Sequence, residues 1–305
     1  MVRRPLIFLI SVIVIFFIGF VLFQKTNKPV SSSAINVSTS FYPLAEFAQK
    51  VGGDLVKVTN LIPPGVEPHA FEPTPDIISS VYQSDLFIYN GGGVDTWATK
   101  LAPSLKHVKT LRMGDVVTDL ISTQEQSRGG AFDDHYWLSP KRAIQQVEAI
   151  RDIMIDLDYV HADYYKKNSE NFVKELKNVD LMYKQGLAQC EIRTVVTSHT
   201  VLSYLANDYH FEQISITGLS PDEEPSAGTL ATIAKEAEER RLKFVFFETL
   251  LSPRLSQTLA EELGVQTLVF NPLEGLTEEE QANGKTYLSI MEDNLNNLKT
   301  AMSCQ

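Results

Sequence analysis

Residues 141–185 contain neither proline nor glycine, and across residues 159–188 Tyr165, Phe172, Leu176, Val179, Tyr183 and Leu187 follow at spacings of seven, four, three, four and four. Those intervals lay one apolar stripe along a helix. A helix of about 28 residues spans roughly 42 Å, the width of a whole small domain, which is more than a crossover inside one lobe requires. The stretch therefore reads as a strut between two bodies. Two shorter helices of a bundle are the other reading, and the flanking sequence decides between them.

On both sides of the strut, short β-rich runs alternate with helical ones. Before it, strand patterns at 35–39, 55–62, 85–89 and 108–111 are interleaved with helical patterns at 42–51, from Thr74-Pro75, and at 94–101. Thr74 followed by Pro75 is an N-cap with a first-turn proline. A further helix is expected over 140–157. After the strut come strands at 194–197, 211–216, 244–247 and 266–270, with helices at 201–207, 226–241, 253–263 and 285–302. Such alternation implies parallel sheets. The expected fold is α/β: two lobes with mainly parallel sheets, residues 35–158 and 189–305, joined by a single long rigid helix at 159–188 and preceded by an N-terminal segment at 1–34. No short-period repeat or low-complexity tract is present.

The first 28 residues carry four cations (Arg3, Arg4, Lys25, Lys28) and no acid, so the remaining chain sets 23 Lys and Arg against 38 Asp and Glu, a net charge of −15. A body that acidic argues against a nucleic-acid partner. Residues 6–23 form a nearly unbroken apolar run of 18 in which Ser11 is the clearly polar member. At about 27 Å of helix it just spans a bilayer core, longer than the 7–15 residues of a typical signal-peptide core. It reads as an uncleaved membrane anchor, or as a signal if cut near Ser32, Ser33 and Ala34. No cysteine follows the run that could carry a lipid. Either way the body is expected outside the cytoplasm, as a monomer. The two cysteines, Cys190 and Cys304, either form a disulfide closing a loop of about 113 residues or remain thiols.

Three of the six histidines stand where a strand hands over to a loop: His69 in the proline-bounded segment 63–73, His135 in Asp133-Asp-His-Tyr-Trp137, and His199 directly after the strand at 194–197. Ligand sites of parallel sheets collect at the carboxyl ends of strands, so these three can converge. Imidazole suits zinc, and a closed site needs four tetrahedral ligands. The fourth is expected from the last strand end, residues 270–277. His107, His161 and His210 lack this placement and read as surface or structural residues. A loop histidine taken singly is more often an exposed hydrogen-bonding residue.

The motifs Gly65-Val-Glu-Pro-His-Ala-Phe-Glu-Pro-Thr-Pro-Asp76, Gly93-Val-Asp-Thr-Trp97, Asp134-His-Tyr-Trp-Leu-Ser-Pro140, Thr197-Ser-His199, Gly218-Leu-Ser-Pro-Asp-Glu-Glu-Pro-Ser226, Phe247-Glu248 and Asn271-Pro-Leu-Glu-Gly-Leu-Thr277 occur in this order. In them the chain resembles the metal-binding receptors of bacterial zinc and manganese ABC transporters, the ZnuA-like or TroA-like cluster, over nearly everything from residue 35 onward. The resemblance implies two α/β lobes with a metal between them and a membrane permease as partner. It makes His69 and His135 ligands from the first lobe and His199 a ligand from the second. Where many relatives place an aspartate, this chain has Asn271-Pro272. The resemblance then points to Glu274 as the fourth ligand, with Glu248 in reserve.

Three imidazoles and one carboxylate suit Zn2+, and manganese, better served by more oxygen ligands, is the alternative. The segment 122–131 lacks the histidine-rich character that many zinc receptors show before the second ligand. Glu67, Glu72, Asp133 and Asp134 are acids placed to orient imidazoles, although each equally suits a solvated surface. Gly91-Gly-Gly93 and Gly284-Lys-Thr286 complete no phosphate-binding pattern and are assigned to turns. Trp97, Trp137 and Phe71 are assigned to packing. The expected function is an extracytoplasmic receptor that performs no reaction itself. A zinc-dependent hydrolase, which would keep one metal position for water, and a surface adhesin are the competing classes.

Overall fold

The computed structural model describes residues 34–117, 133–221 and 225–305. The apolar run at 6–23 and the segment 122–131 lie outside these residues. Among the described residues no helix is long and apolar enough to cross a membrane.

The first sheet comprises β1 (Ile35–Thr39), β2 (Val56–Asn60), β3 (Leu86–Tyr89) and β4 (Lys109–Arg112), all parallel in the order β2-β1-β3-β4. β3 reads Leu-Phe-Ile-Tyr and is buried at every position, as an interior strand covered on both faces must be. Helices α1 (Tyr42–Gly52), α2 (Pro75–Tyr82) and α3 (Thr96–Leu101) connect its strands. The Thr74 hydroxyl accepts from Ile77 N at the start of α2, as the sequence predicts.

The second sheet, β5 (Thr194–Thr197), β6 (Glu212–Ser215), β7 (Phe244–Phe247) and β8 (Gln266–Val269), is also parallel and takes the order β6-β5-β7-β8. Each sheet therefore reverses direction beside its first strand, so the same topology appears twice in a chain with no short sequence repeat. Such reversal points leave crevices beyond the carboxyl ends of the strands.

Between the sheets run α4 (Pro140–Leu157) and α5 (Ala162–Gly186). The long helix has 25 residues, about 38 Å. It starts later than the expected segment 159–188 because a 3-10 turn occupies Tyr159–His161. The Asp158 carboxylate stabilises that turn, lying 2.6 Å from His161 Nδ1 and accepting from Tyr165 OH at 2.9 Å. The six stripe residues are all at most 4% exposed. They sit within one buried cluster that also contains Val37 and Phe47 from the first half and Tyr287, Leu295 and Leu298 from the second. Tyr183 OH donates to Met291 O at 2.8 Å, fixing the strut to the last helix.

The second half adds α6 (Ser203–Tyr209), α7 (Ala227–Glu239), α8 (Arg254–Leu263), α9 (Glu278–Ala282) and α10 (Tyr287–Ala301). α9 is absent from the sequence expectation, although Thr277 and Glu280 form a capping box at its start. Cys190, just past the strut, is disulfide-bonded to Cys304.

Candidate metal centre

All four residues singled out in the sequence, His69, His135, His199 and Glu274, meet in one place. Each offers a ligand atom within 4.8 Å of the other three. Glu274 Oε1 lies 3.4 Å from His69 Nε2, 3.3 Å from His135 Nε2 and 3.3 Å from His199 Nε2. The Nε2 atoms of His135 and His199 are 3.4 Å apart. These side chains are at most 4% exposed.

His69 comes from the loop after β2, where prolines exclude regular structure. Its backbone N–H donates to Glu67 Oε1 at 2.8 Å. Gly65 N donates to Leu276 O at 2.8 Å, which ties this loop to the segment carrying Glu274.

His135 follows the first sheet. Asp133 Oδ1 accepts from His135 N and lies 2.8 Å from its Nδ1. That contact orients the ring with Nε2 toward the other three donors, and on metal binding it would hold the remaining ring proton on Nδ1 and leave the Nε2 lone pair for the ion. Asp134 acts differently: its Oδ2 accepts from Val94 N at 3.0 Å, and a Cβ at Gly92 would stand 2.1 Å from the same oxygen. Only glycine permits that approach. Trp137 backs the imidazole with ring centroids 5.1 Å apart and packs edge-on against Phe41.

His199 stands two residues past β5. Its carbonyl accepts from Thr197 Oγ1 at 2.8 Å and Gln213 Nε2 at 2.9 Å. Glu248, the reserve ligand of the sequence reading, sits behind it: Oε1 accepts from His199 N at 3.2 Å and Oε2 lies 2.7 Å from Nδ1, off the ideal hydrogen-bond angle. Glu248 is thus placed to orient the ring.

Glu274 is delivered by a turn the sequence does not announce. Asn271 Oδ1 accepts from Leu273 N at 2.8 Å, and Leu273 adopts φ 58°, a left-handed conformation uncommon outside glycine. Asn271 also donates through Nδ2 to Glu280 Oε1 at 2.7 Å and exchanges two hydrogen bonds with Asn294. Asn271 thus serves to build the turn that presents Glu274.

Both Glu274 oxygens are buried without a hydrogen-bond donor of good geometry, as is His69 Nε2. Buried polar atoms are normally satisfied, so orphans converging on one point mark a place for an electrophile. Burial alone would raise the Glu274 carboxyl, but the surrounding imidazoles of His135, His199 and His69 hold it well below the usual carboxylate range. Burial opposes charge on His135, yet Asp133 and Glu274 raise it well above the ordinary imidazole value. Burial likewise opposes charge on His199, and Glu248 with Glu274 pushes it up to about 9. Glu67 is pushed up to about 7 by burial and by Glu274.

Of the acids proposed from sequence to support the imidazoles, Glu67 and Asp133 contact a site histidine and Glu72 is exposed. His107 and His210 are exposed, and His161 pairs with Asp158, all away from the centre. Tyr204, whose hydroxyl donates to Asp133 O at 2.7 Å, belongs to the site's support; no sequence pattern distinguishes it from an ordinary helix residue.

A family model described as the periplasmic zinc-uptake complex component A, ZnuA, matches residues 37–301. Zinc-binding lipoprotein AdcA of Streptococcus pneumoniae is 38% identical over 288 residues, covering 90% of this chain and 57% of that protein. The chain thus spans a little over half the length of that relative. High-affinity zinc uptake system protein ZnuA of Bacillus subtilis is 36% identical over 91% of both chains. Among solved structures, the Zn(II)-bound ZnuA-like domain of S. pneumoniae AdcA superimposes with a TM-score of 0.77 at 38% identity, covering 88% of this chain and 99% of that one. The laminin-binding protein Lmb of Streptococcus agalactiae, described as bifunctional with adhesin and metal transporting activity, gives 0.81 at 30% identity over 88% of this chain and 100% of that one. The shared fold, the match along nearly the whole described chain and the identity to these relatives place this protein in the zinc-uptake complex component A family.

Proposed function

We propose that the chain is an extracytoplasmic receptor that captures Zn2+ through His69, His135, His199 and Glu274 and passes it to an ABC permease. The spacing of the donors carries the reading. Zinc bonds of about 2.0–2.1 Å in a tetrahedron put ligand atoms roughly 3.3–3.4 Å apart. Four of the six donor pairs lie at 3.3–3.4 Å, and all six lie within 4.8 Å. The donor set of three imidazoles and one carboxylate favours zinc over manganese. Four protein ligands would leave no position for a reactive water, so the reading assigns no reaction.

The names of the relatives support a location outside the cytoplasm. Tethering through residues 6–23, a permease as partner and a monomeric state belong to the proposal. So does the division into lobes at 35–158 and 189–305 about the helical segment 159–188, supported by the two separate sheets.

Equilibrium zinc titration of His69→Ala, His135→Ala, His199→Ala and Glu274→Ala tests the reading, with manganese as competitor. Each variant is expected to lose more than the roughly 10–100-fold typical of changes behind a ligand. Wild-type affinity in all four would sink it, and preferential retention of manganese would transfer the site to the other metal.

A further inference from the structure

His135 belongs by sequence to the first half of the chain, where Asn90 and Val94 hydrogen-bond Asp134, but the loop presenting it is also held by the second half. Tyr204 OH donates to Asp133 O at 2.7 Å. Trp137 Nε1 donates to Pro272 O at 2.8 Å, and Tyr287 OH donates to Trp137 O at 2.6 Å. Past the loop, Asp208 accepts from Ser139 Oγ at 2.6 Å, from Lys141 Nζ at 3.2 Å and from the Arg142 guanidinium. Arg142 in turn lies over the Tyr204 ring, 5.3 Å from its centroid.

Tyr204 and Asp208 both sit on α6, the seven-residue helix that begins four positions after His199. The same helix is anchored to the His199 loop, because Gln213 accepts from Leu202 N at 2.9 Å while donating to His199 O. One short rigid element therefore grips the His135 loop at both ends and hangs from the His199 loop. Displacing α6 would change the separation of the two imidazoles.

We infer that Asp208 and Tyr204 are positioning residues for metal retention: α6 holds His135 at the correct distance from His199, and the charged Asp208 clasp locks it there. This rests on the receptor reading. Asp208 touches no site residue, and its clasp borders a surface cavity of about 450 Å³ lined also by Lys184, Arg193 and His210. The clasp can thus be reached from outside without entering the metal centre.

The test uses the full chain with bound zinc. Zinc dissociation is followed by capture with an excess of chelator, and the visible spectrum of the Co2+-substituted protein reports the ligand geometry. Asp208→Asn, which keeps the side-chain volume, is expected to release zinc roughly 10-fold faster or more and to weaken the tetrahedral Co2+ bands. Tyr204→Phe, which removes one hydroxyl, should act in the same direction and decides the matter if Asp208→Asn does not fold. Leu105→Ala, in a separate buried cluster, lowers stability without touching α6 and should leave release unchanged. Wild-type release rates and spectra in both α6 variants, or equal acceleration in Leu105→Ala, would overturn the inference. Failure of the wild-type protein to retain zinc would instead sink the receptor reading.

Discussion

At the scale of single residues, the metal-free centre has to balance its own charge. Glu274, Asp133 and Glu248 are each at most 2% exposed, and an unpaired buried carboxylate is expensive. Protons on His135 and His199 supply the balance, which is why both imidazoles are raised. An imidazole whose folded value is raised stabilises the fold fully below about pH 6.5, its unfolded value, and the contribution disappears as pH climbs through the folded value. With His199 at about 9, the metal-free protein is expected to lose melting temperature between pH 6.5 and 9, while the zinc-loaded protein changes little. Thermal melts at pH 6, 7.5 and 9 with and without zinc check this; a flat metal-free profile would contradict it. The three histidines were legible because strand-end position is a property of sequence order. Glu274 became legible only through the motif resemblance, since its aim depends on the left-handed Leu273 and the Asn271 turn, both set by contacts with Asn294 and Glu280 that lie further along the chain.

Among the secondary elements, α5 shows how far a pattern can be trusted. Its apolar stripe is buried along its full length, and all eight strands lie where alternation predicted them, within one or two residues of the expected bounds. The start of the helix was not legible, because Asp158 forms a local turn by bonding His161 and Tyr165 in place of continuing α4 into α5. α9 escaped because five residues are too few for a periodic signal, even though its cap residues were in view. Leu176, fully buried at the middle of the stripe, is an apolar side chain that offers the site neither a ligand nor a hydrogen bond. Leu176→Ala is expected to cost about 2–5 kcal/mol in chemical denaturation while zinc affinity of the folded protein stays within about twofold. A large affinity loss would mean that the strut tunes the centre as well as carrying it.

For the whole molecule, the two sheets repeat one strand order, and the donors divide evenly: His69 and His135 precede the strut, His199 and Glu274 follow it. Sequence alternation disclosed the two sheets; the buried cluster shared between them was not legible, because periodicity tells which residues are buried and not against what. The cysteines were undecided from sequence for the same reason, since pairing is a matter of distance. In the folded chain the bond joins residues 114 apart. A zinc ion held by His69 and Glu274 would cross-link the chain a second time, and its loop overlaps the one closed by Cys190 and Cys304. Loaded protein is then a chain tied into two overlapping rings, one covalent and one removable. Removing the covalent ring with Cys304→Ser should cost about 4–5 kcal/mol by loop-closure entropy, and the metal ring should come undone only when zinc leaves. Unfolding followed by protease digestion should therefore slow stepwise as each ring is closed, so that a cell clearing this protein would meet its empty form first.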